Sequence, residues 1–242
     1  LLCVVNINVK GGIIMYEPIT VYIDYKSPYA YLAIEPTLKL EKDFLVAIEW
    51  LPYTLDIPDF LGSATVDKQG NVIEEKRTDH QWRRVRYSYM DARRYANLTG
   101  LTIRGPQKIW DSTLASIGLL FAKEQGKAEA YTDMIFKRFW HRELNIENSE
   151  IIEAVLQEAH VNTEKFQDFI QGKGLALHDA IREEAEAIGV FGVPMYILDG
   201  ELYWGREHLP LIRQKLTNKD LARSTLVAKS PDNEPNAASH MT

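Results

Sequence analysis

Asp24-Tyr25-Lys26-Ser27-Pro28-Tyr29-Ala30-Tyr31-Leu32 follows the short β-branched run Ile19-Thr20-Val21-Tyr22-Ile23. The run predicts a strand over 19–25, and Ser27 followed by Pro28 predicts a helix start, with the serine as N-cap and the proline at the first helical position. A hydroxyl at that place stands among free backbone N–H groups and at the positive end of the helix dipole. It can cap the helix and nothing more, or it can hold a thiolate or carboxylate.

A second element lies far downstream, in Gly189-Val190-Phe191-Gly192-Val193-Pro194-Met195-Tyr196-Ile197-Leu198. Gly189 closes a helical run, and Val193-Pro194 opens an apolar strand that turns at Asp199-Gly200 into Glu201-Leu202-Tyr203-Trp204. The spacing predicts a β-hairpin. Pro194 reads either as a tolerated first strand residue or as a cis bond.

Between these elements, residues 28–42 predict a helix and 45–50 a second strand, a βαβ unit with a parallel pair. From Leu51 to Glu75 prolines, glycines and weak periodicity predict a long loop, residues 53–75, that is either a lid or an excursion. Helical signals dominate 76–188. Asp111-Ser112, Asn148-Ser149 and Asn162-Thr163 stand as helix caps, the third helix stopping near Gly172, and a last helix spans about 175–188. A final helix is expected over 206–216. The organisation that follows is α/β: a core from 15–52 and 189–217, interrupted by the all-helical 76–188 and followed by a tail, 218–242, disordered from about 230.

Composition narrows the function. The 34 acidic against 28 basic residues give a net charge of −6, which argues against a nucleic-acid-binding face. One cysteine, Cys3, leaves no intrachain disulfide, CxxC pair or thiolate zinc site, and suits a reducing, cytoplasmic setting. The six histidines show no metal-binding spacing, and Ser27 lacks a Gly-x-Ser-x-Gly context. Leu1 to Ile14 has no basic n-region and reads as an upstream extension outside the fold, and no apolar run is long enough to span a membrane.

Ser27-Pro28-Tyr29-Ala30-Tyr31-Leu32, Phe191-Gly192-Val193-Pro194 and Trp204-Gly205 together resemble the 2-hydroxychromene-2-carboxylate isomerases and the kappa-class glutathione transferases, over about Ile19 to Leu216. These belong to the DsbA-like branch of the thioredoxin superfamily, whose redox cysteines would stand where Ser27 and Ala30 stand here. The resemblance implies a thioredoxin-like fold with a large helical insertion, glutathione as cofactor, an unsaturated aromatic keto acid as substrate and a homodimer. In that reading Ser27 stabilises the glutathione thiolate. Val193, ahead of a cis Pro194, pairs with its cysteinyl part, and Trp204, Gly205, Arg206 and Glu207 hold its γ-glutamyl end.

Five arginines lie between Arg83 and Arg94 on an expected helix, where Arg84, Tyr87, Asp91 and Arg94 share a face. That face reads either as solvated with internal pairing or as a guanidinium placed for a carboxylate. The resemblance favours Arg84 as the substrate's cation, and sets Trp110 and Asp111 where the isomerases face the substrate. Glu207 has a second account, since an acid near a helix N-terminus is favourable in itself. Two other functions stay open: conjugation or peroxide reduction with glutathione, and a catalytically silent module gripping an extended peptide beside Pro194.

Overall fold

The computed structural model describes residues 6–9, 12–67, 69 and 71–223. Strand β3 (Glu17–Ile23) leads through a turn closed by Ser27 N–H donating to Asp24 O into helix α1 (Pro28–Asp43), and β4 (Val46–Pro52) runs parallel to β3. The central sheet has the order β4-β3-β7-β8, with β7 (Met195–Leu198) and β8 (Glu201–Trp204) antiparallel to their neighbours. Their turn carries positive φ at Asp199 and Gly200, the geometry a two-residue hairpin needs to match strand twist.

Register places the site. Tyr22 pairs with Met195, so Pro194, one step before Met195, lies beside the end of β3, from which the chain turns into Ser27. The Val193-Pro194 bond is cis.

The helical insertion comprises α3 (Asp79–Leu98), α4 (Thr113–Glu124), α5 (Ala128–Trp140), α6 (Ser149–Glu158), α7 (Phe166–Phe169) and α8 (Leu175–Ala187). Its core and that of the sheet are one. Tyr25 bonds Thr132 through their hydroxyls (3.1 Å) and meets Phe136 edge-on, while Tyr31 of α1 stacks on the same Phe136 ring at 5.4 Å. The long helix α3 starts on a reciprocal cap, Thr78 accepting from Gln81 N and the Gln81 side chain accepting from Thr78 N.

Several boundaries differ from expectation. The 53–75 segment is not one loop: it holds a short helix α2 (Ile57–Leu61) and an antiparallel pair β5 (Ala64–Val66) and β6 (Val72–Glu75). The helix expected to stop near Gly172 passes instead through a π-helical stretch, Ile170–Gly174, kinked at Gly172, into α8. Ser112 sits at the N-cap of α4, but Asp111 accepts from Thr113 N in its place. Asn148 caps α6 as expected.

The last helix begins as a 3-10 turn, Arg206–His208, and continues as α9 (Leu209–Asn218). Across the expected upstream extension and one residue beyond it, β1 (Asn6–Val9) and β2 (Gly12–Met15) pair, among the described residues, only with each other. The tail expected to be disordered from about 230 lies outside the described residues. No helix among the described residues is long and apolar enough to cross a membrane.

Candidate functional site

A cleft of about 540 Å³ opens where the sheet, the start of α1 and α3 meet. Its walls carry Val193 and Pro194 from the strand edge and Trp204, Gly205, Arg206 and Glu207 from the end of β8 onward. Tyr29 enters from α1, and Asp91 and Tyr95 from α3. Six of the seven residues expected to hold a cofactor therefore lie together on one wall.

The seventh, Ser27, stands two residues before Tyr29 and does not line the cleft. It is the N-cap of α1: its Oγ accepts from Ala30 N at 3.2 Å, and it is 6% exposed. Its own O–H donates to no group among the described residues, so that proton is free for an acceptor.

Gly205 has φ +97, and a Cβ there would run into the Glu207 carboxylate, which folds back against it. Gly205 N donates to Pro194 O at 2.9 Å, tying the turn to the cis-proline step. Trp204 lies against Gly192, where a Cβ would meet the indole nitrogen at 2.8 Å, and its ring meets Phe191 at 4.9 Å. Glycine at 192 and 205 is what lets Trp204 and Glu207 pack close to the backbone.

The Arg206 guanidinium rests over the Tyr95 ring, 3.9 Å from its centre. Neither Arg206 nor Glu207 forms an ion pair among the described residues. Asp91 accepts from the Tyr29 hydroxyl at 3.1 Å, which also reaches Ser88 O at 3.4 Å. Burial, reinforced by the Asp91 charge, pushes the Tyr29 phenol up to about 12, so it stays a neutral donor. The cleft thus presents one guanidinium and two carboxylates that do not neutralise one another by direct contact.

The substrate-side candidates stand elsewhere. Arg84 lies on the exposed side of α3, two turns before Asp91, and does not line the cleft. Trp110 lines a separate cavity of about 350 Å³ with Phe139, Leu144 and Ile151. Asp111 caps α4; burial raises its pKa, but hydrogen bonds from Thr113 and the Lys26 and His178 charges bring it below the usual range. Of the Arg84, Tyr87, Asp91, Arg94 face, only Asp91 lines the cleft; Arg84, Tyr87 and Arg94 are exposed.

Tyr29 and Tyr95 had no assigned role in the sequence. The signal for Tyr95 was its place four residues after Asp91, which puts both on one helical face.

The chain matches the family model described as the DSBA-like thioredoxin domain over residues 18–217. It is 24% identical over 198 residues to a 2-hydroxychromene-2-carboxylate isomerase of Pseudomonas putida, covering 81% of this chain and 92% of the relative. A protein of the same name from Sphingobium xenophagum is 24% identical over 203 residues, covering 84% and 99%. Among solved structures, a 2-hydroxychromene-2-carboxylate isomerase superposes with a TM-score of 0.66 at 21% identity, covering 88% of this chain and all of that one. The cytosolic disulfide reductase DsbM from Pseudomonas aeruginosa, solved with GSH, gives 0.57 at 15% identity, covering 84% and 97%. With a strand, Ser-Pro helix start, helical insertion and cis-proline hairpin in that order, the chain belongs to the DSBA-like thioredoxin domain family.

Proposed function

We propose that this protein is a glutathione-dependent isomerase acting on an unsaturated aromatic keto acid. The observation that carries the reading is the convergence on one cleft of the Val193-Pro194 edge with Arg206, Glu207 and Asp91. A γ-glutamyl group carries an ammonium and a carboxylate on one carbon. A guanidinium and two carboxylates that make no ion pairs with each other offer both complements.

The other parts of glutathione fit the neighbouring backbone. Val193, two residues ahead of β7, lines the cleft, and a cysteinyl unit would add along its backbone as a short strand. Ser27 and the N-terminus of α1 lie at the end of β3, beside that edge. There the free hydroxyl and helix dipole would lower a thiol pKa from about 8.5 towards neutrality. When bound, glutathione would supply a thiolate whose reversible addition to the substrate's double bond permits rotation about it.

The relatives named 2-hydroxychromene-2-carboxylate isomerase support an isomerase-like activity, at 24% identity. The test is a glutathione titration followed by thiolate absorbance near neutral pH, on wild type and Ser27→Ala. A saturating signal that requires Ser27 is expected, and glutathione recovered unconsumed after turnover separates isomerisation from conjugation. No signal at millimolar glutathione overturns the reading.

A further inference from the structure

Among the described residues Arg206 is the only cation lining the cleft, and what holds it comes from the other half of the molecule. It belongs to the turn after β8, whereas Tyr95 belongs to α3 in the helical insertion. At 3.9 Å from the ring centre, the guanidinium carbon touches the aromatic face. The attraction there is between a cation and the negative face of the ring. The Arg206 side chain makes no hydrogen bond or ion pair among the described residues, so its N–H donors, the groups that read a carboxylate with two parallel bonds, are not spent. The two acids nearby do not take them: Asp91 is bonded to Tyr29, and Glu207 lies against Gly205.

We propose that Tyr95 and Arg206 form a carboxylate-reading clamp, in which Tyr95 is a positioning residue that pre-orders Arg206 for the α-carboxylate of a γ-glutamyl ligand. An arginine side chain has many rotamers, and fixing it before the ligand arrives removes a cost the ligand would otherwise meet. The ring need only be aromatic, so the tyrosine hydroxyl has no part. The clamp also makes the helical insertion a component of the ligand site, since the cation sits on one half of the fold and its support on the other. The proposal rests on the glutathione reading only for the choice of ligand.

The experiment uses γ-glutamylglycine, which has no thiol, and its analogue with the α-carboxyl amidated. Binding of both to the full chain is measured by calorimetry in wild type, Tyr95→Phe, Tyr95→Ala and Arg206→Gln. Wild type is expected to prefer the carboxylate by about tenfold or more. That ratio should persist in Tyr95→Phe, fall about three- to tenfold in Tyr95→Ala, and approach one in Arg206→Gln.

The clamp is overturned if wild type does not bind γ-glutamylglycine at millimolar concentration. It is equally overturned if Tyr95→Ala leaves the ratio unchanged, or if Tyr95→Phe loses as much as Tyr95→Ala. Binding of γ-glutamylglycine with no thiolate signal from glutathione keeps the clamp and removes the thiolate reading. A thiolate signal without γ-glutamylglycine binding does the reverse.

Discussion

The Tyr29 hydroxyl donates to Asp91 Oδ2 at 3.1 Å and so fastens the first turn of α1 to the middle of α3 at one side of the cleft. Tyr29→Phe should therefore lower unfolding free energy by about 1 kcal/mol, the usual loss for one hydrogen bond, raised somewhat because the acceptor is charged. Urea unfolding of wild type and variant measures it. An unchanged midpoint would mean that the bond is not formed in solution.

Asp24 is fully buried, and both its oxygens are used. Oδ1 accepts from Lys26 N at 3.1 Å, Oδ2 from Leu55 N at 2.8 Å, and the Lys26 ammonium lies 3.6 Å from Oδ2 with its side chain 7% exposed. Asp24→Ala strips a buried ammonium of its carboxylate and should cost about 3–5 kcal/mol. The double variant Asp24→Ala, Lys26→Met should recover a large part of that, since a methionine fills the lysine's space without a charge to compensate. Equilibrium unfolding of the three proteins gives the comparison.

Gly118 in the middle of α4 is pressed against Tyr131 of α5, whose hydroxyl donates to Ala115 O at 2.9 Å. A methyl at 118 would land on that hydroxyl. Gly118→Ala gains helix propensity of about 1 kcal/mol but must displace a buried ring, and overpacking of about 1–3 kcal/mol should outweigh it. A lower thermal midpoint is expected. Gly126, with nothing near its missing Cβ, has no such clash, but its φ of +68 gives Gly126→Ala a smaller loss of its own.

Alkali should unfold the protein before it ionises the buried tyrosines. Burial pushes Tyr22, Tyr29 and Tyr89 up to about 12, and raises Tyr25, Tyr131 and Tyr196 as well. A phenol whose folded pKa exceeds its unfolded value near 10 holds its proton more tightly when folded. Its contribution is complete below about pH 10 and is lost as pH rises from there to about 12. Phenolate absorbance and circular dichroism followed together from pH 9 to 12.5 should show ionisation of these rings coinciding with loss of structure.

Much of the frame was legible because its signals are local. Ser27-Pro28 starts α1, Asn148 caps α6, and Asp199-Gly200 turns β7 into β8, each through chemistry confined to a few neighbouring residues. The cap at Thr78 is equally local, a Thr-x-x-Gln box just ahead of the conspicuous arginines.

What was not legible depends on where helices cross. Spacing puts Arg84 and Asp91 on one face of α3, but only the packing of α3 against α1 decides that Asp91 meets the cleft while Arg84 meets water. Tyr95 acquires its role only by touching Arg206, more than a hundred residues away, and no periodicity reports such a pair. The hairpin of β5 and β6 is hidden by weak alternation in short strands, the first half-buried throughout and the second exposed throughout.

The strand order β4-β3-β7-β8 also governs how the chain is made. Emerging in sequence order, β3 can pair with β4 at once, but its other edge must wait for β7, after the whole helical insertion has been synthesised. An unpaired central strand is a template for the wrong partner. The nascent chain is therefore most exposed to misassembly during translation of the helices. Packing of those helices onto Tyr25 and Tyr31 shortens the effective loop between β3 and β7, so that little closure entropy remains to be met once β7 emerges.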